Sequence, residues 1–236
     1  MNSSFETPDW QAGSGILVLS PHFDDAVLSC GAFLAQHPGA TVLTAYAGQP
    51  GYDVPAPQWD RRCGFVNARQ AMLTRSQENW RALEILQARN EQLHMLDSQY
   101  GGTGEGLFEH LQQTLQDRRP DTVLLPLGLF HEDHIQLADA ALDLRKQGPD
   151  DQEWIAYEDV PYCRHPGQVQ RRLAWLSEQG VCATRWLTVW ADTDKKRHAV
   201  SAYSSQLEAL GLTPGSGDDA LPEHYWRLTD MEPDNG

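Results

Sequence analysis

Two short clusters, Ser20-Pro21-His22-Phe23-Asp24-Asp25 and His131-Glu132-Asp133-His134, hold the residue types from which a hydrolytic metal centre is built. Such a centre takes three neutral or anionic side-chain ligands and keeps one position for water, and His22, Asp25 and His134 form a two-histidine, one-carboxylate set of that kind. Zinc so held brings the pKa of its water to about 7 and makes hydroxide available at neutral pH. Asp24 and Asp25 are chain neighbours, so in a helical first turn their side chains diverge by roughly 100°. One can then hold the metal while the other, Asp24, faces the attacking water as general base. His131 stands three residues before His134, on the same face if the segment is helical. From there it reaches the pocket without being a ligand, and as an imidazolium it can stabilise an oxyanion or protonate a leaving amine. Asp133, between the two, is placed to fix a histidine tautomer from outside the ligand set.

Each cluster also has a plainer explanation. His131, His134, Ile135, Ala138 and Leu142 follow helical spacing, and histidines on such a stripe are commonly satisfied core residues. Asp24 and Asp25 after a strand also suit a helix N-cap followed by an acidic first turn. What favours chemistry is recurrence, since two His/Asp clusters stand at equivalent junctions. The first follows Ile16-Leu17-Val18-Leu19 and the second Thr122-Val123-Leu124-Leu125-Pro126-Leu127, and each opens a helical pattern.

These junctions belong to a regular alternation. Runs at 16–19, 41–47, 92–96, 121–127, 154–158 and 184–190 read as strands, and helical stretches lie near 25–36, 67–88, 107–118, 134–145, 168–178 and 195–210. The rhythm is that of a doubly wound sheet and predicts an α/β, three-layer Rossmann-like fold with a mostly parallel sheet. The metal site is then expected at the C-terminal edge of the strands, where open α/β sheets bind ligands. No linker or repeat interrupts the pattern, so residues 1–236 are expected to form one domain, with polar, frayed ends at 1–13 and 229–236. Residues 48–65, rich in Pro and Gly, form a long insertion after a strand, and Trp59, Arg61 and Arg62 make it a candidate substrate rim. Its aromatics equally suit the interface of a homo-oligomer. Residues 101–106 and 211–219 read as flexible connections. The glycines of the first lack the spacing of a dinucleotide fingerprint, and no dinucleotide cofactor is expected.

The pattern resembles the LmbE-like, or PIG-L (N-acetylglucosaminyl de-N-acetylase), superfamily. Its members carry a His-Pro-Asp-Asp-Glu-like motif near the N-terminus and a His-x-Asp-His motif after a later strand, matched here by residues 22–26 and 131–134. Arg75-Ser76-Gln77-Glu78 is similar to the family's Arg-x-x-Glu on a long helix. Lys196-Arg197-His198-Ala199 through Tyr203-Ser204-Ser205-Gln206 resembles its late Lys…Ser-Gln helix, and Glu223-His224-Tyr225-Trp226 its terminal Glu-x-aromatic strand. The resemblance covers about residues 14–228. It implies that His22, Asp25 and His134 bind zinc, that Asp24 is the general base and that His131 is the electrophilic or acid group. Phe23 replaces the family's usual proline, Ala26 its glutamate and Glu132 another common proline. Leu129-Phe130 stand where some sugar deacetylases place a tyrosine near the oxyanion. These departures bear on the substrate and leave the reaction class intact.

Composition narrows the partners. A formal net charge of −15 argues against nucleic acid or anionic membranes, because phosphate binding needs clustered Lys and Arg. No Lys or Arg precedes Arg61 and no apolar run approaches a membrane span, so neither a secretory signal nor a span is expected. Cys30, Cys63, Cys163 and Cys182 form no Cys-x-x-Cys pair and read as reduced, which suits a cytoplasmic protein. Away from the two clusters, Arg75 and Glu158 are candidates for substrate contact, Glu158 because it ends a strand. Arg75 and Glu78 are spaced for an ion pair, and Tyr203, Ser205 and Gln206 either line the site or pack the last helix, with packing the favoured reading.

Taken together, the residues and the resemblance lead to a zinc-dependent amidohydrolase that removes an N-acyl group, usually acetyl, from an amino sugar such as N-acetylglucosamine or from a glycoconjugate. Two other classes fit parts of the pattern. His22-x-Asp24 with a distant histidine matches the facial triad of non-haem iron(II) oxygenases, though those sit on antiparallel β-sandwich strands. A metal-dependent phosphoesterase would need more clustered carboxylates for two metals.

Overall fold

The computed structural model describes residues 15–149, 151–189, 194–212 and 222–231. The expected strand end at Trp190, the connection beyond Leu212 and most of both expected frayed ends lie outside these residues. Five strands run parallel: β1 (Ile16–Ser20), β2 (Thr41–Thr44), β3 (Arg89–Gln92), β4 (Thr122–Pro126) and β5 (Glu153–Tyr157). Two more, β6 (Val181–Val189) and β7 (Glu223–Asp230), complete a seven-stranded sheet in the order β3-β2-β1-β4-β5-β7-β6, with β7 antiparallel to both neighbours. Thr229 and Asp230, expected to fray, pair with Cys182 and Val181 in β7.

The α-helices among the described residues are α1 (Asp25–Gln36), α2 (Gln58–Arg62), α3 (Ala68–Leu86), α4 (Leu107–Arg118), α5 (Glu132–Arg145), α6 (Gln168–Glu178) and α7 (Asp194–Ser201), all but α2 packed on the sheet. Because the central strands are buried on both sides, they are apolar along most of their length, and their side chains alternate in which core they join. Ile16, Val18, Val42, Leu124 and Ile155 pack with α1, α3 and α7. Leu17, Leu19, Leu43, Val123 and Leu125 pack with α4, α5 and α6. Each such aliphatic side chain contributes roughly 1.5–3 kcal/mol on burial.

Two elements depart from the sequence expectation. The third strand is the polar Arg89–Gln92, paired on one side only, and the apolar residues that suggested 92–96 follow it, with Leu93 and Met95 packing against the core beyond the regular ladder. The last helix stops at Ser201 instead of running to Leu210. Glu78 intervenes: its carboxylate accepts from Ser205 N at 2.8 Å, Ser205 Oγ at 2.7 Å and Ser204 Oγ at 3.1 Å, which anchors a separate turn there. Glu78 therefore does not pair with Arg75.

A buried ion pair ties α1, α7 and β7 together. Lys196 Nζ donates to Glu223 Oε1 at 2.6 Å, and the same carboxylate accepts from Ala32 N (2.7 Å), Phe33 N (3.0 Å) and Tyr225 Oη (2.7 Å). The Lys196 stem crosses α1 where Gly31 leaves room, since a Cβ at Gly31 would stand 2.8 Å from Lys196 Cγ. Removing one member of a buried pair strands the other's charge. Glu223→Ala is accordingly expected to cost about 3–5 kcal/mol and to lower the melting temperature by about 10 °C in a calorimetric scan. A shift within a degree of the parent would show that the pair is dispensable.

Candidate active site

In the strand order, β1 lies beside both β2 and β4, so the chain leaves β1 and β4 toward opposite faces of the sheet. α1 covers one face and α5 the other, which opens a crevice at the carboxyl ends of the two strands. Both clusters sit there. The first turn is held by its own atoms: Ser20 Oγ accepts from Ala26 N at 3.0 Å and donates to the His22 carbonyl at 2.6 Å. Asp24 occupies the N-cap of α1 but makes no capping hydrogen bond. Asp25 folds back so that Oδ2 accepts from His22 N at 2.8 Å. Helix capping therefore does not account for this pair of carboxylates. In the second cluster the helix begins at Glu132, so His131 is an N-cap and not a helical residue, with Nδ1 accepting from Asp133 N at 3.2 Å.

One carboxylate oxygen joins the clusters. Asp25 Oδ2 lies 3.2 Å from His22 Nδ1 and 3.2 Å from His134 Nε2. Ligand-type atoms of His22, Asp25 and His134 all fall within 4.8 Å of one another. His134 Nε2 is buried, 3.2 Å from Asp25 Oδ2 and without a well-aligned hydrogen bond, a position from which a neutral imidazole could bind a metal. The far nitrogens are held by other carboxylates: His22 Nε2 by Asp133 Oδ2 at 2.9 Å and His134 Nδ1 by Asp159 Oδ1 at 2.6 Å. Carboxylates so placed fix ring orientation and tautomer. A second grouping, His22, His131 and Asp133, also meets the 4.8 Å spacing. Its Asp133 Oδ2 is already engaged by His22 and by Ser98 N at 3.2 Å, so the first set is the better fit to a zinc-type ion.

The charges follow from this crowding. Burial alone would lower the pKa of His134, but the Asp25 and Asp159 carboxylates outweigh it and bring the value to about 9. His22 is likewise raised, by Asp97, Asp133 and Asp25 against its burial. Burial would raise Asp25, yet the two imidazoles hold it well below the usual carboxylate range. Asp24 has no such partner, and burial with the adjacent Asp25 pushes it from 3.8 up to about 6. His131 moves the other way: burial and the neighbouring His22 and His134 hold it down. With Nδ1 already accepting a backbone N–H, its proton belongs on Nε2 of a neutral ring, which replaces the expected imidazolium.

His22, Asp24, Asp25 and His131 line a cavity of about 210 Å³, together with Arg75, Trp59 and Tyr162 among others. His134 and Asp133 stand behind it. Arg75 reaches the cavity from α3, where Nη2 donates to the fully buried Asp60 Oδ1 at 2.6 Å and Tyr100 Oη donates to Asp60 Oδ2 at 2.8 Å. Asp60 belongs to α2, so this ion pair ties the 48–65 insertion to the site. Of the expected rim, Trp59 lines the cavity, Arg61 turns to the Ala56 carbonyl and Arg62 lies over the Trp59 ring. Glu158 is not brought to the site: it accepts from Trp226 Nε1 at 3.0 Å and lines a separate groove with Arg185 and His224. Its neighbour Asp159 is the carboxylate on His134. Asp159 was missed because β5 is buried on both faces, and without alternation the sequence cannot say which of two adjacent acids turns inward.

Asp24 gives a sign-definite test on the metal-free protein. Its native pKa exceeds its unfolded value, so the native state binds the extra proton and stability falls as pH rises from about 3.8 to about 6. Metal-free Asp24→Asn is expected to unfold at higher denaturant than the parent at pH 7, by on the order of 2–3 kcal/mol, with the gap closing near pH 4. An equal gap at both pH values would exclude a raised Asp24.

Comparison with known proteins adds independent findings. A family model described as GlcNAc-PI de-N-acetylase (PIG-L) matches residues 17–144. No curated protein matches. A deacetylase triple mutant from the teicoplanin biosynthetic pathway is 25% identical, with a TM-score of 0.73, covering 94% of this chain and 99% of its own. The A40926 pseudoaglycone deacetylase Dbv21 is 25% identical, with a TM-score of 0.71, covering 94% of this chain and 100% of its own. The hydratase GalB of Pseudomonas putida shares the fold at 19% identity and a TM-score of 0.59, covering 94% of this chain and 98% of its own. The fold alone therefore does not select the reaction. The family model spans both clusters, and on that match the chain belongs to the GlcNAc-PI de-N-acetylase (PIG-L) family of LmbE-like N-deacetylases.

Proposed function

We propose that the protein is a zinc-dependent amidohydrolase that removes an N-acyl group, acetyl in its principal form, from an amino sugar or glycoconjugate. The observation that carries this reading is the convergence of His22 Nδ1 and His134 Nε2 on Asp25 Oδ2, with Asp24 beside them on the cavity wall. The family description names a GlcNAc conjugate, and two structures of similar chains are deacetylases. Free cysteines, with Cys182 exposed, agree with a cytoplasmic setting. No helix among the described residues is long and apolar enough to cross a membrane.

His22, Asp25 and His134 would hold the ion, and Asp133 and Asp159 would keep the two rings in place. Zinc so bound supplies a polarised carbonyl and an acidified water. Asp24, on the cavity wall, would accept the proton of the attacking water, and His131 Nε2–H would donate to the oxyanion that develops on the amide, as a neutral electrophile. The tetrahedral species collapses with cleavage of the C–N bond, and the Asp24 carboxyl returns its proton to the departing amine. Burial and the adjacent Asp25 raise the Asp24 carboxyl in the metal-free protein, a direction that suits a base that must keep the proton between the two steps.

Zinc-loaded protein is expected to release acetate from N-acetylated glycosides, with loss of turnover on the acid side as Asp24 becomes protonated. Asp24→Asn should retain zinc and lose roughly 10²–10⁴-fold in turnover, while His134→Ala should fail to hold stoichiometric metal. Zinc uptake near pH 7 should expel about two protons, those of His22 and His134, measurable by calorimetry in buffers of different ionisation enthalpy. No proton release, or stoichiometric zinc in His134→Ala, would remove these residues from the ligand set. Iron(II)-loaded protein assayed in parallel decides the metal.

A further inference from the structure

We propose that Gln99 and Gln206 read the hydroxyl groups of the substrate, as an acceptor and a donor set into the wall of the catalytic cavity. The proposal rests on the amino-sugar reading above and extends it to residues with no part in the hydrolysis. Gln206 is 4% exposed and lies in the turn after α7. That turn is clamped by α3 and by the turn before α1: Tyr203 Oη lies 3.0 Å from the Phe23 carbonyl oxygen and 2.8 Å from Asn79 Oδ1, and Glu78 holds Ser204 and Ser205. The Gln206 backbone N–H donates to the Tyr203 carbonyl at 2.9 Å. Its side-chain Nε2 nevertheless has no hydrogen-bond partner, and the residue faces the cavity that holds His22 and Asp24.

Gln99 faces the same cavity with the opposite polarity. Its backbone N–H donates to Asp97 Oδ1 at 2.8 Å and its Nε2 to Asp97 Oδ2 at 2.8 Å. Because the NH₂ end is committed to a carboxylate, the end that remains is an oxygen, and this buried Oε1 is also without a partner. Buried amides in a core are almost always paired, so two unpaired ends on one cavity call for ligand atoms. A hydroxyl both donates and accepts, and a ring bearing several satisfies Oε1 and Nε2 together. Leu28, Trp59 and Met72 on the same wall offer apolar surface to its C–H faces. An amine without hydroxyls would bury both amides unpaired, the situation in which sites discriminate most strongly.

The test uses the zinc-loaded full chain, Gln99→Met and Gln206→Met, with glucosamine and cyclohexylamine as probes by calorimetric titration and N-acetylglucosamine as substrate. Each variant should bind glucosamine about tenfold or more weakly, with the loss in catalysis falling on KM, while cyclohexylamine affinity, zinc content and melting temperature stay at parent values. Gln206→Glu, of the same shape, serves if the methionine variant does not fold. Variants that bind glucosamine as the parent does, variants that lose both amines alike, or a parent that does not prefer glucosamine would each overturn the proposal. A parent that releases no acetate from any N-acetyl amino sugar refutes the deacetylase reading instead, and the two amine titrations still decide the role of the glutamines.

Discussion

The rest of the site depends on how buried negative charge is balanced. Asp24, Asp25, Asp97, Asp133 and Asp159 are each no more than 7% exposed, and they surround two imidazoles in one small volume. Carboxylates desolvated this way repel one another strongly unless positive charge lies among them. In the metal-free protein protons supply it, which is why His134 and His22 are driven up while Asp25 is driven down. A divalent cation between the same atoms would serve better, because His134 Nε2 already lacks a hydrogen bond. Asp24 stands outside the pairing and absorbs the remaining strain as a raised pKa. On the proposed reading, the property that would make it a useful base is a by-product of assembling His22, Asp25 and His134 beside it.

That assembly needs little beyond the sheet. Placing β1 next to β4 brings two strand ends from distant parts of the sequence side by side, and opposite turns after them open the crevice. Each histidine is then oriented from elsewhere: His22 by Asp133, next door to the other histidine, and His134 by Asp159 after β5. Three adjacent parallel strand ends therefore define the ligand and orienting groups together. A one-residue slip in β1 or β4 would exchange its inward- and outward-facing residues between the two cores, so the packing that fixes register also fixes the site.

The sequence made the central strands and the paired clusters readable because there local pattern and tertiary role coincide: apolar runs end where His and Asp begin. It was less informative where the deciding contact comes from far away. The shortened α7 is set by Glu78 on α3, and the choice of Asp159 over Glu158 is hidden in a strand buried on both faces. His131 looked helical by spacing, and only its backbone bond to Asp133 N shows that it is a cap with a committed Nδ1. The polar edge strand β3 lacked the apolar signal by which strands are recognised.

The two sides of the cavity differ in how they are built. On the ligand side, residues sit within one or two positions of a strand end, and the core that holds the strands holds them. On the other side, Arg75 depends on Asp60 and Tyr100, Gln206 on Glu78, and Trp59 on an insertion anchored by that Arg75–Asp60 pair. These contacts join separate segments through buried polar groups, each of which holds only if its partner is present. Variation in 48–65 or in the 203–206 turn can therefore reshape what the cavity accepts without disturbing His22, Asp25 or His134. On the proposed reading, reaction class and substrate choice rest on different parts of the fold, and the first motif's departures at Phe23 and Ala26 bear on the latter, because neither side chain offers a ligand atom.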